Sequence, residues 1–284
     1  MTDRLGRCDD QLRSGWPPSA LSGSIPPVRG DRSLWGSELD ELLAARIRSG
    51  QRNDDARIAL VLEGGAMRGV ISAGMATALE ELKVTDWFDL IVGTSAGAIN
   101  ALAVLAGKIG PFARHYPNII SARELVNPRR ALRGLPIIDG ARMIASIDAR
   151  FQLAEAATSR RPTRLAFIAT DIDSATSHAL TDFTGTDDVR RSLNASGLLP
   201  WVAGPPIEHR GRRWLDGGII EPIPIESARM LGATHLSSPL ALSGPAPASA
   251  SPTSFSDAIC AVSTRNSSAT TGSGRCGISR CCRT

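Results

Sequence analysis

The sequence predicts an α/β fold with a central, mostly parallel sheet. Short, continuous runs of apolar residues end at glycine turns, a pattern typical of strands that are buried on both faces of a parallel sheet. A segment with apolar residues at helical spacing follows each of the first two runs. Strand, helix, strand and helix in this order form a right-handed βαβ unit, which is the building block of α/β proteins.

The first half of the folded region has the clearest pattern of elements. The apolar run Ile58–Leu62 is predicted to be the first strand, and Val70–Leu82 the first helix. A second strand over Phe88–Gly93 and a second helix over Ala96–Ala106 follow. The next segment, Lys108–Arg161, shows no comparable periodicity, and we predict that it is irregular.

The second half returns to recognisable elements. Arg164–Ile172 is predicted to be a strand, Asp188–Ser196 a helix, and Arg212–Gly218 a short strand that ends in a glycine turn. In Pro222–Leu236 we predict a helix that ends near Gly232 and the start of a last strand.

Composition divides the chain into three parts. Residues 1–56 are rich in Gly, Pro, Ser and mixed charge, and we predict a largely irregular extension. It contains one predicted helix, with Ser37 as its N-cap and Gly50 past its end. Residues 57–236 are predicted to form the folded domain. Residues 237–284 are rich in Ser and Thr and contain no Lys or Glu. Because such a composition cannot bury enough apolar surface to fold, we predict a tail that is disordered or translated out of frame.

Overall composition and charge narrow the class of protein. The 284 residues are 42% hydrophobic and 21% charged, with a formal net charge of +4. No run of 18 or more apolar residues occurs, so we predict no transmembrane helix. The N-terminus is polar and charged, so we predict no secretory signal. Basic residues are not interleaved with aromatic ones, and nucleic acid is therefore not a predicted partner.

The cysteines lie outside the predicted domain core, at Cys8, Cys260, Cys276, Cys281 and Cys282. A disulfide framework would place cysteines through the core, so we predict a reduced, cytoplasmic environment. The paired C-x-x-C spacing of a zinc site is missing and no histidine lies near the C-terminal cysteines. Neither a metal nor another cofactor is predicted.

The pentapeptide Gly93-Thr94-Ser95-Ala96-Gly97 fits the G-x-S-x-G pattern. A predicted strand precedes it and a predicted helix follows, which is the context that a nucleophile elbow requires. The two glycines allow the chain to reverse sharply around Ser95, whose hydroxyl would project from the end of the sheet at a helix N-terminus. The alternative is a tight turn in which the serine only caps the helix, and the pentapeptide alone does not decide between them.

A glycine-rich loop, Glu63–Gly69, connects the first strand to the first helix. Successive backbone N–H groups in such a loop form a nest for anions. Beside Ser95, this nest could hold the oxyanion of a tetrahedral intermediate, and Arg68 could add positive charge or anchor the loop. The alternative is a phosphate- or dinucleotide-binding loop, but Ala66 replaces a glycine of G-x-G-x-x-G and no acidic residue ends the second strand.

A serine hydroxyl is a poor nucleophile without a base. Asp216 is the candidate base, because it ends a short apolar strand and precedes Gly217 and Gly218. A buried aspartate at a strand end can accept the proton of Ser95 directly. The alternative for an isolated Asp-Gly-Gly sequence is a turn with a solvated carboxylate.

Taken together, the three motifs resemble those of the patatin-like phospholipases, and of bacterial members in particular. Gly64-Gly65-Ala66-Met67-Arg68-Gly69 is similar to the family's oxyanion loop, with Ala66 where the family often has glycine. Gly93–Gly97 is similar to its nucleophile elbow and Asp216-Gly217-Gly218 to its catalytic aspartate motif. The resemblance covers about Arg57 to Leu236. It implies a three-layer α/β/α fold and hydrolysis of phospholipids or other acyl lipids by a Ser–Asp dyad, through an acyl-enzyme and without histidine or metal.

Three other functions remain open. The family usually continues past the position of Leu236 with more sheet and helix, so the domain could be catalytically impaired. Ser95, Asp216 and His235 follow the chain order of an α/β-hydrolase triad. Against that triad, Ser95 lies on only the second strand, and His235 falls inside a predicted strand. The third alternative is a module that binds an anion or nucleotide with the glycine loop and catalyses nothing.

The resemblance also implies a lipid or acyl-ester substrate. An acyl group needs an apolar channel, which residues in Ile99–Leu105 and Leu198–Val202 could line. Basic clusters at Arg129–Arg133 and Arg160–Arg164 would allow peripheral contact with anionic membranes, although solvated charged faces explain them equally well. The predicted location is therefore cytoplasmic or membrane-peripheral.

Overall fold

The computed structural model describes residues 37–121, 125–199 and 202–239. The strands are β1 (Ile58–Leu62), β2 (Leu90–Thr94), β3 (Arg164–Asp171), β4 (Thr176–Leu180), β5 (Ile207–His209), β6 (Arg212–Asp216) and β7 (His235–Ser237). They form one seven-stranded sheet in the order β5-β6-β3-β2-β1-β7, and β4 pairs with β3. No helix of the described parts is long and apolar enough to cross a membrane.

The helices of the described residues are α1 (Ser37–Ser49), α2 (Gly69–Glu81), α3 (Ala96–Leu105), α4 (Ile109–Ser121), α5 (Gly140–Phe151), α6 (Ala154–Thr158), α7 (Thr186–Ser196) and α8 (Ile225–Met230). Short 3-10 segments occur at Ala66–Arg68, Thr85–Trp87, Pro128–Arg133 and Gly217–Ile219. The two strands and two helices predicted at the start of the domain are present; the first strand has the predicted bounds, and the other boundaries shift by at most two residues.

The centre of the sheet is parallel. Strands β7, β1, β2 and β3 pair in parallel, whereas β4 and β6 run antiparallel to β3, and β5 runs antiparallel to β6. The prediction of an α/β fold with a parallel central sheet is confirmed. Strands β4 and β5 were not predicted from the sequence, because both are short and neither is fully buried.

Helices cover both faces of the sheet, which gives three layers. Along β1, Ile58 and Leu60 point into the larger core cluster, which is built with α2 to α7. The alternate residues Ala59 and Val61 point to the other face and pack with Ala228 of α8. All five residues of β1 are buried, which explains why the strand reads as a continuous apolar run rather than as an alternating one.

Helix α1 packs onto this sheet, although it precedes the predicted domain start at Arg57. Leu43 belongs to the larger core cluster. The side chain of Arg46 is only 1% exposed and contacts Asp89 and Asp54 at 2.7 and 2.6 Å. Residues 37–56 therefore pack as part of the folded unit, and the predicted irregular remainder of the extension, residues 1–36, lies outside the described residues.

The prediction that Lys108–Arg161 is irregular is wrong, because α4, α5 and α6 occupy much of it. Ile109, Phe112 and Tyr116 follow helical spacing and are all buried in the core. Pro117 lies inside α4 and obscures this pattern, since proline usually ends a helix. The packing of the buried face outweighs the one backbone hydrogen bond that the proline removes.

Beyond the predicted end of the domain at Leu236, β7 continues through Ser237. The hydroxyl of Ser238 donates a hydrogen bond to the carbonyl of Val61 at 3.1 Å, so the chain follows the sheet for two further residues. The rest of the predicted tail, residues 240–284, and all five cysteines lie outside the described residues.

Candidate active site

Strands β2 and β6 meet end to end along one edge of β3. Thr94, the last residue of β2, pairs with Ile168 of β3. Asp216, the last residue of β6, pairs with the next residue, Ala169. Because β6 runs antiparallel to β3 while β2 runs parallel to it, the two strand ends face each other. This register brings Ser95, which directly follows β2, next to Asp216.

The turn at Ser95 has the strained geometry of a nucleophile elbow. Ser95 has φ 55° and ψ −121°, a conformation that non-glycine residues rarely adopt. A Cβ on Gly93 would lie 2.2 Å from the Gly97 carbonyl oxygen, and a Cβ on Gly97 would lie 2.2 Å from that of Leu62. Only glycine fits at both positions, so the G-x-S-x-G pattern is required here by close backbone packing.

Ser95 and Asp216 form a direct hydrogen bond. The Ser95 Oγ donates to Asp216 Oδ2 at 2.7 Å, and the other carboxylate oxygen accepts from the backbone N–H of Gly218 at 2.7 Å. The carboxyl is 2% exposed. Burial raises the pKa of Asp216, and the hydrogen bonds from Ser95 and Gly218 offset only part of that rise. A buried carboxylate with a raised pKa is a stronger base than a solvated one.

Two neighbouring hydroxyls hold this pair in place. Ser196 Oγ accepts from the backbone N–H of Ser95 at 3.0 Å and donates to the carbonyl of Ile168 at 2.6 Å. Thr170 Oγ1 donates to the backbone carbonyl of Asp216 at 2.9 Å. Gly217 packs against β3, where a Cβ would lie 2.1 Å from the Ile168 carbonyl oxygen. The sequence reasoning missed Ser196 and Thr170, since no motif marks either residue.

The glycine loop lies beside Ser95. A Cβ on Gly64 would lie 3.3 Å from the Cβ of Ser95. The N–H of Gly64 donates to the carbonyl of Pro222 at 2.8 Å and is therefore occupied. In the part of the chain that the structure describes, the N–H groups of Gly65 and Ala66 donate to no protein acceptor. These two amides are therefore available as donors to a ligand.

Ala66 is held in the left-handed region, with φ 48°. Its carbonyl accepts hydrogen bonds from the N–H of Gly69 and from the hydroxyl of Tyr116, the latter at 3.1 Å. Burial raises the pKa of Tyr116 to about 12, so the phenol remains a donor at neutral pH. Tyr116 also lies close to Gly69, where a Cβ would meet its hydroxyl at 2.6 Å.

Arg68 follows these amides and is exposed. Its Nε lies 3.2 Å from the position that a Cβ on Gly65 would occupy, so the guanidinium folds back over the loop. Among the described residues its side chain has no hydrogen-bond or ion-pair partner. The positive charge is therefore available at the entrance to the site.

An apolar cavity of about 140 Å³ opens beside Ser95. Ile99 and Leu199 line it, as the sequence predicted, but Leu102 and Leu105 lie in the core instead. Most of the remaining wall comes from helices that the sequence analysis did not predict, namely Phe112, Tyr116, Ile119, Met143 and Ile147. Pro200 and Trp201, inside the second predicted channel segment, lie outside the described residues.

His235, the histidine of the alternative triad, does not lie near Ser95. His235 begins β7 and pairs with Ile58, the first residue of β1. It therefore lies at the opposite end of the parallel sheet from Ser95, which argues against the triad alternative.

A second serine–histidine cluster is present but not catalytic. In it, Ser192 Oγ and Asp188 Oδ1 lie 2.9 and 3.0 Å from the same nitrogen of His209. A triad uses both ring nitrogens. Since Ser192 is also fully buried, this cluster does not form a second nucleophile.

The chain is similar in sequence to known proteins. The family model described as "Patatin-like phospholipase" matches residues 60–229. The chain is 33% identical over 196 residues to the uncharacterized protein YjjU of Escherichia coli (strain K12), a match that covers 63% of this chain and 50% of that protein. It is 30% identical over 234 residues to patatin-like phospholipase domain-containing protein 6 of Homo sapiens, covering 80% of this chain and 16% of that protein. The chain thus spans half, or less, of the length of these relatives.

Two solved structures are also similar in part. VipD from Legionella pneumophila matches with a TM-score of 0.43 and 14% identity, covering 64% of this chain and 48% of that one. The type III effector protein ExoU matches with a TM-score of 0.33 and 18% identity, covering 51% and 40%.

Proposed function

Because the chain belongs to the patatin-like phospholipase family, we propose that it hydrolyses carboxylic esters of acyl lipids with Ser95 as nucleophile and Asp216 as general base. The observation that carries this proposal is the 2.7 Å hydrogen bond between Ser95 Oγ and Asp216 Oδ2 at the mouth of an apolar cavity. A solvated Asp-Gly-Gly turn would not bury the carboxylate, and a helix-capping serine would not face it.

In the first half of the reaction, the substrate ester carbonyl lies between Ser95 and the glycine loop. Ser95 Oγ attacks the carbonyl carbon while Asp216 Oδ2 accepts its proton. The negative charge moves to the carbonyl oxygen, which the free N–H groups of Gly65 and Ala66 stabilise. The C–O bond to the alcohol then breaks, and the alcohol leaves with the proton from Asp216. An acyl-Ser95 ester remains.

In the second half, water replaces the alcohol. Asp216 accepts a proton from the water as its oxygen attacks the acyl-Ser95 carbonyl, and the same two amides hold the second oxyanion. Ser95 then leaves the tetrahedral intermediate and regains its proton from Asp216, which releases the carboxylic acid. Arg68 supports the loop and adds positive potential during both steps. None of these steps requires a histidine or a metal ion.

The substrate site follows from the same geometry. The acyl chain enters the cavity beside Ser95, whose walls are almost entirely apolar, while the alcohol part of the ester stays at the mouth. We propose a lipid or acyl ester as substrate, met at the periphery of a membrane, and a catalytic domain that includes residues 57–236.

The decisive experiment is to quench the enzyme during turnover of a slowly hydrolysed ester and to analyse its peptides by mass spectrometry. We expect an acyl adduct on the peptide that carries Ser95. An adduct on another residue would overturn the assignment of the nucleophile. Absence of both turnover and adduct across a panel of acyl esters would favour an impaired domain or a binding module.

A further inference from the structure

A short segment of the chain forms part of the mouth of the cavity beside Ser95. Val126 and Ile138 pair as an isolated antiparallel bridge, and both line the cavity beside Ser95. We call residues 126–138 the rim segment. Its tip is the 3-10 turn Pro128–Arg133, which Asn127 caps through a hydrogen bond to the N–H of Arg129 and which ends at Gly134 with φ 67°. The tip is therefore a defined structure held at the substrate entrance.

The rim segment presents apolar and basic side chains to solvent. Leu132 is 87% exposed, more than any other large hydrophobic residue of the described parts, and Leu135 is 49% exposed. Arg129 and Arg133 on either side of Leu132 are exposed and have no ion-pair partner among the described residues. Arg130 pairs with Asp139 at 3.2 Å. The segment itself contains no acidic residue, so its tip is positively charged.

Other exposed apolar residues follow the two catalytic loops. Met67, Val70 and Ile71 lie within five residues after Ala66, and Met67 also lines the cavity. Ile219 and Ile220 come directly after Asp216-Gly217-Gly218. Of the exposed large hydrophobics in the described residues, Ile47 and Leu82 are the ones that lie away from these segments. Exposed apolar groups grouped in this way mark an interaction surface.

We propose that the rim segment docks the protein on an anionic lipid surface, with Leu132 inserted among the lipids and Arg129 and Arg133 against the phosphates. Its purpose rests on the proposed function, since docking would place the ester of a membrane lipid at the cavity mouth. An apolar side chain between two unpaired arginines fits a surface whose headgroups are anionic and whose interior is apolar. Nucleic acid offers the charge but no apolar phase for Leu132.

The inference is tested by sedimentation of the full chain with phospholipid vesicles. We expect binding to vesicles of equal parts phosphatidylcholine and phosphatidylglycerol, much weaker binding to phosphatidylcholine alone, and weakening by salt. Replacing both Arg129 and Arg133 by Ala should weaken binding to the anionic vesicles by roughly 25-fold. Leu132→Asp should weaken it further than Leu132→Ala.

Matched controls come from α1, which lies against the opposite end of the sheet. Ile47→Asp and Arg48→Ala change an exposed apolar residue and an exposed arginine outside the rim segment, and both should bind vesicles like the unchanged chain. Rim variants that bind like these controls would overturn the proposal. Tighter binding to a duplex oligonucleotide than to vesicles would also overturn it, and would identify the tip as a nucleic-acid site.

Vesicle binding and ester hydrolysis can be measured separately. Hydrolysis of a water-soluble short-chain ester should be unchanged in the rim variants, because none of the replaced residues lines the cavity. Ser95→Ala should still bind the vesicles. If neither the unchanged chain nor any variant hydrolyses an ester, while vesicle binding still depends on the rim residues, the proposed function fails and this inference stands.

Discussion

The hydroxyl of Tyr116 donates a hydrogen bond to the carbonyl oxygen of Ala66, with 3.1 Å between the two oxygens. Ala66 has φ 48°, and an L-residue in that region costs roughly 1–2 kcal/mol. Ala66, whose N–H is a proposed oxyanion donor, is thus kept in an unfavourable conformation by hydrogen bonds to its carbonyl oxygen. Tyr116 thereby acts as a positioning residue for the loop.

We predict that Tyr116→Phe lowers kcat by roughly fivefold and leaves KM nearly unchanged, since one hydrogen bond of about 1 kcal/mol is lost while the ring still lines the cavity. Steady-state kinetics on a soluble ester measure this split. Ile119→Val, which trims the cavity wall without touching the loop, is the control. An unchanged kcat in Tyr116→Phe would show that the loop holds its conformation without this bond.

Ser95→Ala should abolish both hydrolysis and labelling by a fluorophosphonate, because the attacking oxygen is gone. Asp216→Asn should lower the rate by roughly 10²–10⁴-fold, since Ser95 then lacks a general base. Active-site labelling followed by gel fluorescence checks both. Ser192→Ala and His235→Ala are the controls and should label normally, because neither residue contacts Ser95. Loss of activity in a folded His235→Ala protein would instead support a histidine-dependent triad.

The raised pKa of Asp216 predicts an acid limb in the pH profile. Asp216 must be ionised to accept the proton, so kcat/KM should rise with pH through a midpoint above the ordinary aspartate value of about 3.9. Above that ordinary value the folded state binds more protons than the unfolded state, so the contribution of Asp216 to stability falls as pH rises toward the raised pKa. Asp216→Asn should therefore melt at an equal or higher temperature at neutral pH. A clearly lower Tm would contradict burial as the cause.

The volume of the cavity predicts the acyl length that is preferred among water-soluble esters. A dry cavity of about 150 Å³ accommodates a six-carbon ring, and the cavity here is about 140 Å³. On water-soluble esters we expect activity to be highest at about six acyl carbons, which is the part of a longer membrane-lipid chain that the cavity holds. Met143→Ala should enlarge the cavity and move the optimum to longer chains, whereas Met230→Ala in α8, away from the cavity, should not. An unshifted optimum would place the acyl chain elsewhere.

Arg46 predicts a large stability effect far from the site. Its buried guanidinium bonds to Asp54, Asp89 and the carbonyls of Trp87 and Ala56. Arg46→Ala leaves Asp89 buried without its main counter-charge, so we expect a loss of about 3–5 kcal/mol in the free energy of unfolding. Denaturant titration measures it, with the exposed Arg48→Ala as control. A loss as small as that of the control would mean that water replaces the guanidinium.

The identity of the candidate site could be predicted from the sequence, because backbone geometry constrains it locally. Gly93 and Gly97 are required because a Cβ at either position would lie 2.2 Å from a backbone carbonyl oxygen. Such a requirement leaves a recognisable sequence pattern around Ser95. Asp216 carried a weaker signal, as Asp-Gly-Gly also fits an ordinary turn. What joined the two was the resemblance to a family, and the register of β2 and β6 on β3 could not be read from either motif.

Other parts of the site could not be predicted, because their roles arise from packing between distant segments. Ser196 contacts the amide of Ser95 across about a hundred residues, and nothing in its own neighbourhood marks it. Tyr116 lies in a helix whose pattern Pro117 obscures. The cavity wall came largely from that misread region, so the sequence indicated the chemistry better than the shape of the substrate.

The end-to-end arrangement of β2 and β6 also fixes when the proposed nucleophile gains its base during synthesis. Ser95 leaves the ribosome 121 residues ahead of Asp216. Until β6 has been made and has paired with β3, Ser95 remains an ordinary alcohol without a base. We therefore expect a nascent or truncated chain that ends before Asp216 to hydrolyse no ester. The lag requires no pro-segment or inhibitor, since the order of residues along the chain imposes it.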